Sequence, residues 1–131
     1  MFQKLTPNLV VRDVVRSVTF YRDVLGFTMA MSVPGEPPYV FAGVQQGAVE
    51  VFFNDAGAVV EELPQFKGRP IGGTLTLYIE VADVDAVFER VNGRAPIVMP
   101  MKTQFYGMKE FAISDPDGYI LTLAQRVQSG H

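Results

Sequence analysis

Side chains able to do chemistry are sparse in this 131-residue chain. It has no cysteine, so thiolate chemistry and disulfides are excluded, and its one histidine is His131, the last residue. A nucleophile–histidine constellation therefore has nothing to draw on within the body of the chain. A glycine-rich phosphate loop is missing too, because Gly72-Gly73 precedes a strand-like segment and not a helix. What remains is a set of hydroxyls, rings and one well-placed carboxylate: Thr6, Asn8, Glu50, Phe52, Thr76, Tyr78, Tyr106, Met108 and Thr122. Such groups suit binding more than turnover, since a small-molecule pocket needs apolar walls and a few polar anchors. Glu50 has three readings. It can anchor a cationic or hydroxyl-bearing ligand, it can be a carboxylate satisfied by neighbouring threonines, or it can act as a base. The last role needs a raised pKa and a partner within reach.

These residues matter only if the fold brings them to common faces. A repeat suggests how. Residues 6–14 lead from Thr6 through Val11 to Asp13-Val14, and the same residue types recur at an offset of 70 as Thr76, Val81, Asp83 and Val84. Each copy reads as a strand running into a helix whose first turn is capped by the aspartate. In the first copy Val14, Ser17, Phe20, Tyr21, Val24 and Leu25 follow at helical spacing, and Gly26 closes the helix in a left-handed conformation. In the second, Val84, Val87, Phe88 and Val91 form the stripe and Asn92-Gly93 ends it. Further strands are expected over 27–33, 39–44 and 48–53 after the first helix, and over 97–101, 108–114 and 120–125 after the second. Gln45-Gln46-Gly47 and Asp115-Pro116-Asp117-Gly118 are expected as turns. The fold class is therefore α+β. Two β-α-β-β-β modules, about 5–54 and 74–126, are joined by a linker over 55–73 within one domain spanning 1–131. A short helix is expected near 59–63.

Strand parity divides each strand into two rows. One row is nearly pure apolar: Leu9 and Val11; Val49, Val51 and Phe53; Leu75, Leu77 and Ile79; Leu121 and Leu123. These are expected under the helices. The opposite row is mixed, with Thr6, Asn8 and Val10; Glu50 and Phe52; Thr76, Tyr78 and Glu80; Ile120, Thr122 and Ala124. That mixed row is the candidate ligand face, although a one-sided sheet can also turn such a face to solvent. Tyr39, Phe41 and Phe105 are further candidate walls. Tyr106-Gly107-Met108 is expected as a flexible lip, with Met108 adaptable to varied ligands, or as a bulge at Gly107. Glu110 and Arg12 are expected as solvated or paired surface charges.

The run from Asp13 through Phe20-Tyr21 to Leu25-Gly26-Phe27 resembles the first-helix signature of the glyoxalase/bleomycin-resistance/dioxygenase superfamily, the vicinal oxygen chelate fold. Glu80 to Phe88 is similar to its second helix entry. Tyr106-Gly107-Met108 followed by Asp115-Pro116-Asp117-Gly118-Tyr119 is similar to its closing hairpin. The resemblance spans about residues 5–126. It implies two modules forming a cleft, commonly within a homodimer. It also implies that metal-dependent relatives hold a divalent ion at four strand positions, which fall here on Thr6, Glu50, Thr76 and Thr122. Only Glu50 is an ordinary metal ligand, and zinc, iron or nickel favour imidazole and carboxylate. The expectation is a protein with no metal and no cofactor that binds a planar or cationic small molecule, as a bleomycin-resistance protein sequesters a drug. The alternative is a metal-dependent lyase, isomerase or dioxygenase with an atypical site.

Bulk properties agree with a modest globule of 48% hydrophobic and 19% charged residues. A net charge of −3 offers no basic face for nucleic acid. No stretch approaches the ~18 apolar residues of a membrane span, and no signal-peptide pattern opens the chain. The expected setting is the cytoplasm, with no membrane or nucleic-acid partner and a homodimer as the assembly.

Overall fold

The computed structural model describes residues 1–128. Its expected frayed tail, 128–131, lies almost wholly outside the described residues. The chain divides into two compact units, Met1–Gly72 and from Gly73 onward. Each holds one four-stranded sheet. In the first unit the order is β1 (Asn8–Val11), β4 (Val49–Asp55), β3 (Phe41–Gln46), β2 (Thr28–Val33). In the second it is β5 (Thr76–Glu80), β8 (Ile120–Arg126), β7 (Met108–Ser114), β6 (Ile97–Thr103). In both, the pair formed by the first and last strand is parallel and the rest are antiparallel. The α+β class and the two β-α-β-β-β modules stand as expected.

The helices form where the sequence supplies caps. Asp13, at the start of α1 (Val14–Asp23), accepts from the Arg16 amide at 3.2 Å. Asp83, at the start of α3 (Val84–Val91), accepts from the Ala86 amide at 3.1 Å. Gly26, at φ 80°, ends α1 while the Phe27 amide reaches back to the Tyr21 carbonyl, a Schellman closure. The former linker region is not structureless. It carries α2 (Ala56–Glu62), capped by Asp55, and a 3-10 turn, Pro64–Phe66, and it belongs to the first unit.

The helix-facing rows differ between the units. Leu9, Val11, Val51 and Phe53 are buried, with Tyr21 of α1 set edge-on to Phe53 and Phe27. In the second unit Leu121, Leu123, Phe111 and Ile113 are buried, and Phe88 of α3 meets Phe111. The row of β5 is not covered as the alternation suggested. Leu75 precedes the strand and is exposed, and Leu77 and Ile79 are half-buried. The reason is placement: α3 packs mainly on β7 and β8, leaving the edge strand at its margin. Leu5 departs too. The strand begins at Asn8, so Leu5 escapes the alternation and is 86% exposed. β3 runs on through Gln46, which moves the turn to Gly47-Ala48. No helix among the described residues is long and apolar enough to cross a membrane.

Candidate functional site

The faces opposite the helices gather the candidate residues unit by unit. In the first unit Glu50 projects from β4. Its Oε1 accepts from Lys4 Nζ at 2.7 Å and from Thr6 Oγ1 at 3.3 Å. Lys4 lies in the segment before β1, so only the folded chain brings it to Glu50. The hydrogen bond from the ammonium lowers the Glu50 carboxyl below its ordinary value, opposed by partial desolvation and aided by the lysine charge and the Thr6 hydroxyl. Asn8 is exposed on the edge strand and accepts from Asn54 Nδ2. Next along β4, Phe52 packs against Phe41 of β3 with ring centroids 5.1 Å apart, edge to face. Gly43 permits this. A methyl group there would sit 3.1 Å from the Phe52 ring and 3.2 Å from Met31. The result is an apolar floor beside a carboxylate already paired with a cation.

In the second unit β5 and β8 run parallel, with Tyr78 beside Thr122 in register. Thr76 Oγ1 donates to the Ile120 carbonyl at 3.1 Å and lies 2.7 Å from Thr122 Oγ1. A hydroxyl has one hydrogen, so with that of Thr76 on the carbonyl the Thr122 hydroxyl is the donor between the two.

Sequence reasoning missed the centre of this face. Glu110 of β7, expected as a surface charge, is only 4% exposed. Its Oε2 accepts from the Tyr78 hydroxyl at 2.7 Å and its Oε1 from the Tyr106 hydroxyl at 2.6 Å. Partial desolvation, then the Glu110 hydrogen bond and the charges nearby, pushes the Tyr78 phenol up to about 12. The hydrogen bond to Glu110 also raises that of Tyr106. The signal that could have found Glu110 is parity. Met108, Glu110 and Ala112 share the face opposite Phe111 and Ile113, and Ala112 pairs with Thr122. Arg12, by contrast, is exposed as expected.

The Tyr106 segment is a tight turn and neither a loose lip nor a bulge. The Gly107 amide donates to the Gln104 carbonyl at 3.0 Å, closing the β6–β7 hairpin, with φ 88° at Gly107. Its carbonyl accepts from the Val127 and Gln128 amides, and Arg126 Nη1 donates to the Tyr106 carbonyl at 3.2 Å. A Cβ at Gly107 would fall 2.8 Å from the Gln128 carbonyl oxygen. Met108 opens β7 and is buried, so it is not the adaptable rim residue expected. Phe105 is exposed beside Tyr106, and Tyr39 is half-buried.

The donor chemistry does not suit a resident transition metal. Glu50 is engaged by an ammonium, and Thr76 and Thr122 are engaged with each other. Among the described residues no three His, Cys, Asp or Glu side chains gather to hold an ion.

Comparison with known proteins places this geometry. A bleomycin resistance protein of Geobacillus stearothermophilus is 28% identical over 133 aligned residues, covering 94% of this chain and 96% of its own length. The crystal structure of an Agrobacterium tumefaciens protein of unknown function superimposes with a TM-score of 0.80 at 26% identity, covering 95% of this chain and 94% of the other. TnmS3, an antibiotic binding protein from a Streptomyces species, gives 0.73 at 23% identity, covering 96% and 97%. The family model described as Glyoxalase/Bleomycin resistance protein/Dioxygenase superfamily matches residues 5–123, close to the whole length. With that match and two units built alike, the chain belongs to the glyoxalase/bleomycin resistance protein/dioxygenase superfamily.

Proposed function

We propose that this protein binds a small organic molecule and holds it without turnover or a metal ion, as a drug-sequestering protein does. The observation that carries this reading is the floor of the first unit, where Phe52 lies over Gly43 and meets Phe41, next to Glu50 on β4. A half-buried aromatic pair flanked by a polar anchor suits an aromatic ligand with a polar or cationic substituent. The relative named as a bleomycin resistance protein and the structural neighbour titled an antibiotic binding protein support the same class of ligand.

The test is a thermal-shift screen followed by calorimetry with bleomycin and other aromatic antibiotics. Phe52→Ala is expected to weaken a bound compound about tenfold or more, the usual effect of removing an aromatic anchor. A panel that leaves the melting temperature unmoved overturns the reading. The alternative, a metal-dependent lyase, isomerase or dioxygenase, predicts stoichiometric metal by elemental analysis after loading, with activity lost on chelation. That result would replace sequestration with catalysis.

A further inference from the structure

Hydrogen accounting on the second unit shows what kind of group its face can receive. Each phenol has one hydrogen, and those of Tyr78 and Tyr106 are both directed to Glu110. The Thr122 hydrogen goes to Thr76, and that of Thr76 to the Ile120 carbonyl. Every hydroxyl of the group is therefore committed as a donor and keeps only lone pairs for a visitor. Beneath the phenols lies a carboxylate with no cationic partner among the described residues. Lys102, its cross-strand neighbour on β6, makes no ion pair with it. Arg126, on the same face of β8, is turned to the Tyr106 and Gln128 carbonyls. Glu80 lies along the same row, paired with Ala124, which in turn pairs with Glu110, and adds negative charge.

We infer that Tyr78, Tyr106 and Glu110 form a receptor for one organic cation rich in N–H donors: a protonated amine, amidine or guanidine on a small molecule. The phenol oxygens are the contact atoms. Both tyrosines stand open to solvent as residues, Tyr78 at 48% and Tyr106 at 37% exposed. Donating to a carboxylate polarises each phenol and makes its oxygen a better acceptor. Glu110 acts through them, fixing their direction and supplying the charge, and is a positioning residue. A bare metal ion is not the occupant, since no cluster of three metal-ligating side chains is present among the described residues. An anion is refused because no hydroxyl hydrogen is left to meet it. The inference rests on the small-molecule reading above and adds the substituent that the second unit selects.

The experiment is calorimetric titration of the full chain with benzamidine hydrochloride, sodium benzoate and benzyl alcohol, which are similar in size and differ in charge. Benzamidine is expected to bind with a dissociation constant of about 1 mM or tighter, a reasonable affinity for so small a fragment, and benzoate about tenfold or more weakly. In Glu110→Gln the amide nitrogen donates to one phenol and frees its hydrogen, while the amide oxygen still accepts from the other. Benzamidine should then weaken about tenfold and benzoate should gain, a change of selectivity that a merely structural role would not produce. Tyr78→Phe, at an exposed ring, should weaken benzamidine about threefold or more and decides the matter if Glu110→Gln does not fold. Parent protein that fails to prefer benzamidine overturns the inference, as do folded variants that keep its affinity. Aromatic antibiotics that bind indifferently to both substitutions would sink this receptor and leave sequestration standing. Benzamidine selectivity with no antibiotic bound would do the reverse.

Discussion

Glu50 and Glu110 are both carboxylates on the non-helical face of a four-stranded sheet, yet the chain treats them oppositely. Glu50 meets a lysine that is 63% exposed and keeps 17% of its own side chain in water. Glu110 is buried under two phenols and meets no cation among the described residues. A water-facing ion pair contributes little because solvent and salt already screen both charges. A desolvated carboxylate held by neutral donors depends wholly on them, and it orients them in return. The difference begins in sequence. Lys4 leads into β1, whereas the residue 70 positions on, before β5, is Thr74. One unit supplies its own counter-charge and the other leaves it to be brought.

That contrast can be broken from either side. The largest effect is expected from Glu110→Gln, which removes the charged acceptor of two hydrogen bonds. It should cost about 1.5–3 kcal/mol in urea unfolding, the range for hydrogen bonds to a charged group. Glu50→Gln, under the same conditions, should leave the midpoint unchanged within scatter. Equal losses would erase the distinction. Gly43→Ala comes next, at about 1 kcal/mol, because the new methyl must push the Phe52 ring or Met31 aside. Its larger consequence should be weaker binding of planar ligands in the first unit, with benzamidine affinity untouched.

Alkaline titration gives a smaller and sharper test. The Tyr78 phenol is raised from 10 to about 12, so its protonated form is favoured in the folded state. The stability linked to it is therefore complete below pH 10 and is lost as pH rises toward 12. Tyr78→Phe should flatten that limb, although exposure of the ring keeps the effect small. Absorbance near 295 nm should show a smaller late-ionising signal in the variant than in the parent, since Tyr106 keeps its own hydrogen bond to Glu110 and stays raised. The smallest effect belongs to Lys4→Ala. Glu50 has a lowered pKa, so its contribution is present above the ordinary carboxylate value and fades as pH falls through the lowered one. Removing Lys4 should move the Glu50 titration, followed by NMR, back toward pH 4.5, with little change in stability.

Much of this was legible in the residues. Period-two alternation placed Glu50 and Phe52 opposite Val51 and Phe53, and the repeat aligned Thr6 with Thr76. Local rules also found the aspartate caps and the Asp115 turn, where Asp115 Oδ1 accepts from the Asp117 and Tyr119 amides at 2.9 Å each. What stayed hidden depends on long-range register. Lys4 precedes any regular strand, so no periodicity carried it to Glu50. Glu110 follows Lys109 and precedes Phe111, a pattern that reads equally well as an exposed edge. Only the pairing of β7 with β8, and of β8 with β5, brings Tyr78 within reach of it.

The Gly107 turn has a practical consequence. Its carbonyl receives the Val127 and Gln128 amides, so the turn that carries Tyr106 and the chain leaving β8 are fastened to one another. An environment-sensitive dye attached at a cysteine introduced in place of Gln128 would thus sit one backbone hydrogen bond from the turn that carries Tyr106. In a chain with no native cysteine and no tryptophan, labelling is unambiguous and the optical background is low. The hairpin makes the protein a ready scaffold for a reagentless sensor of whatever Tyr106 touches.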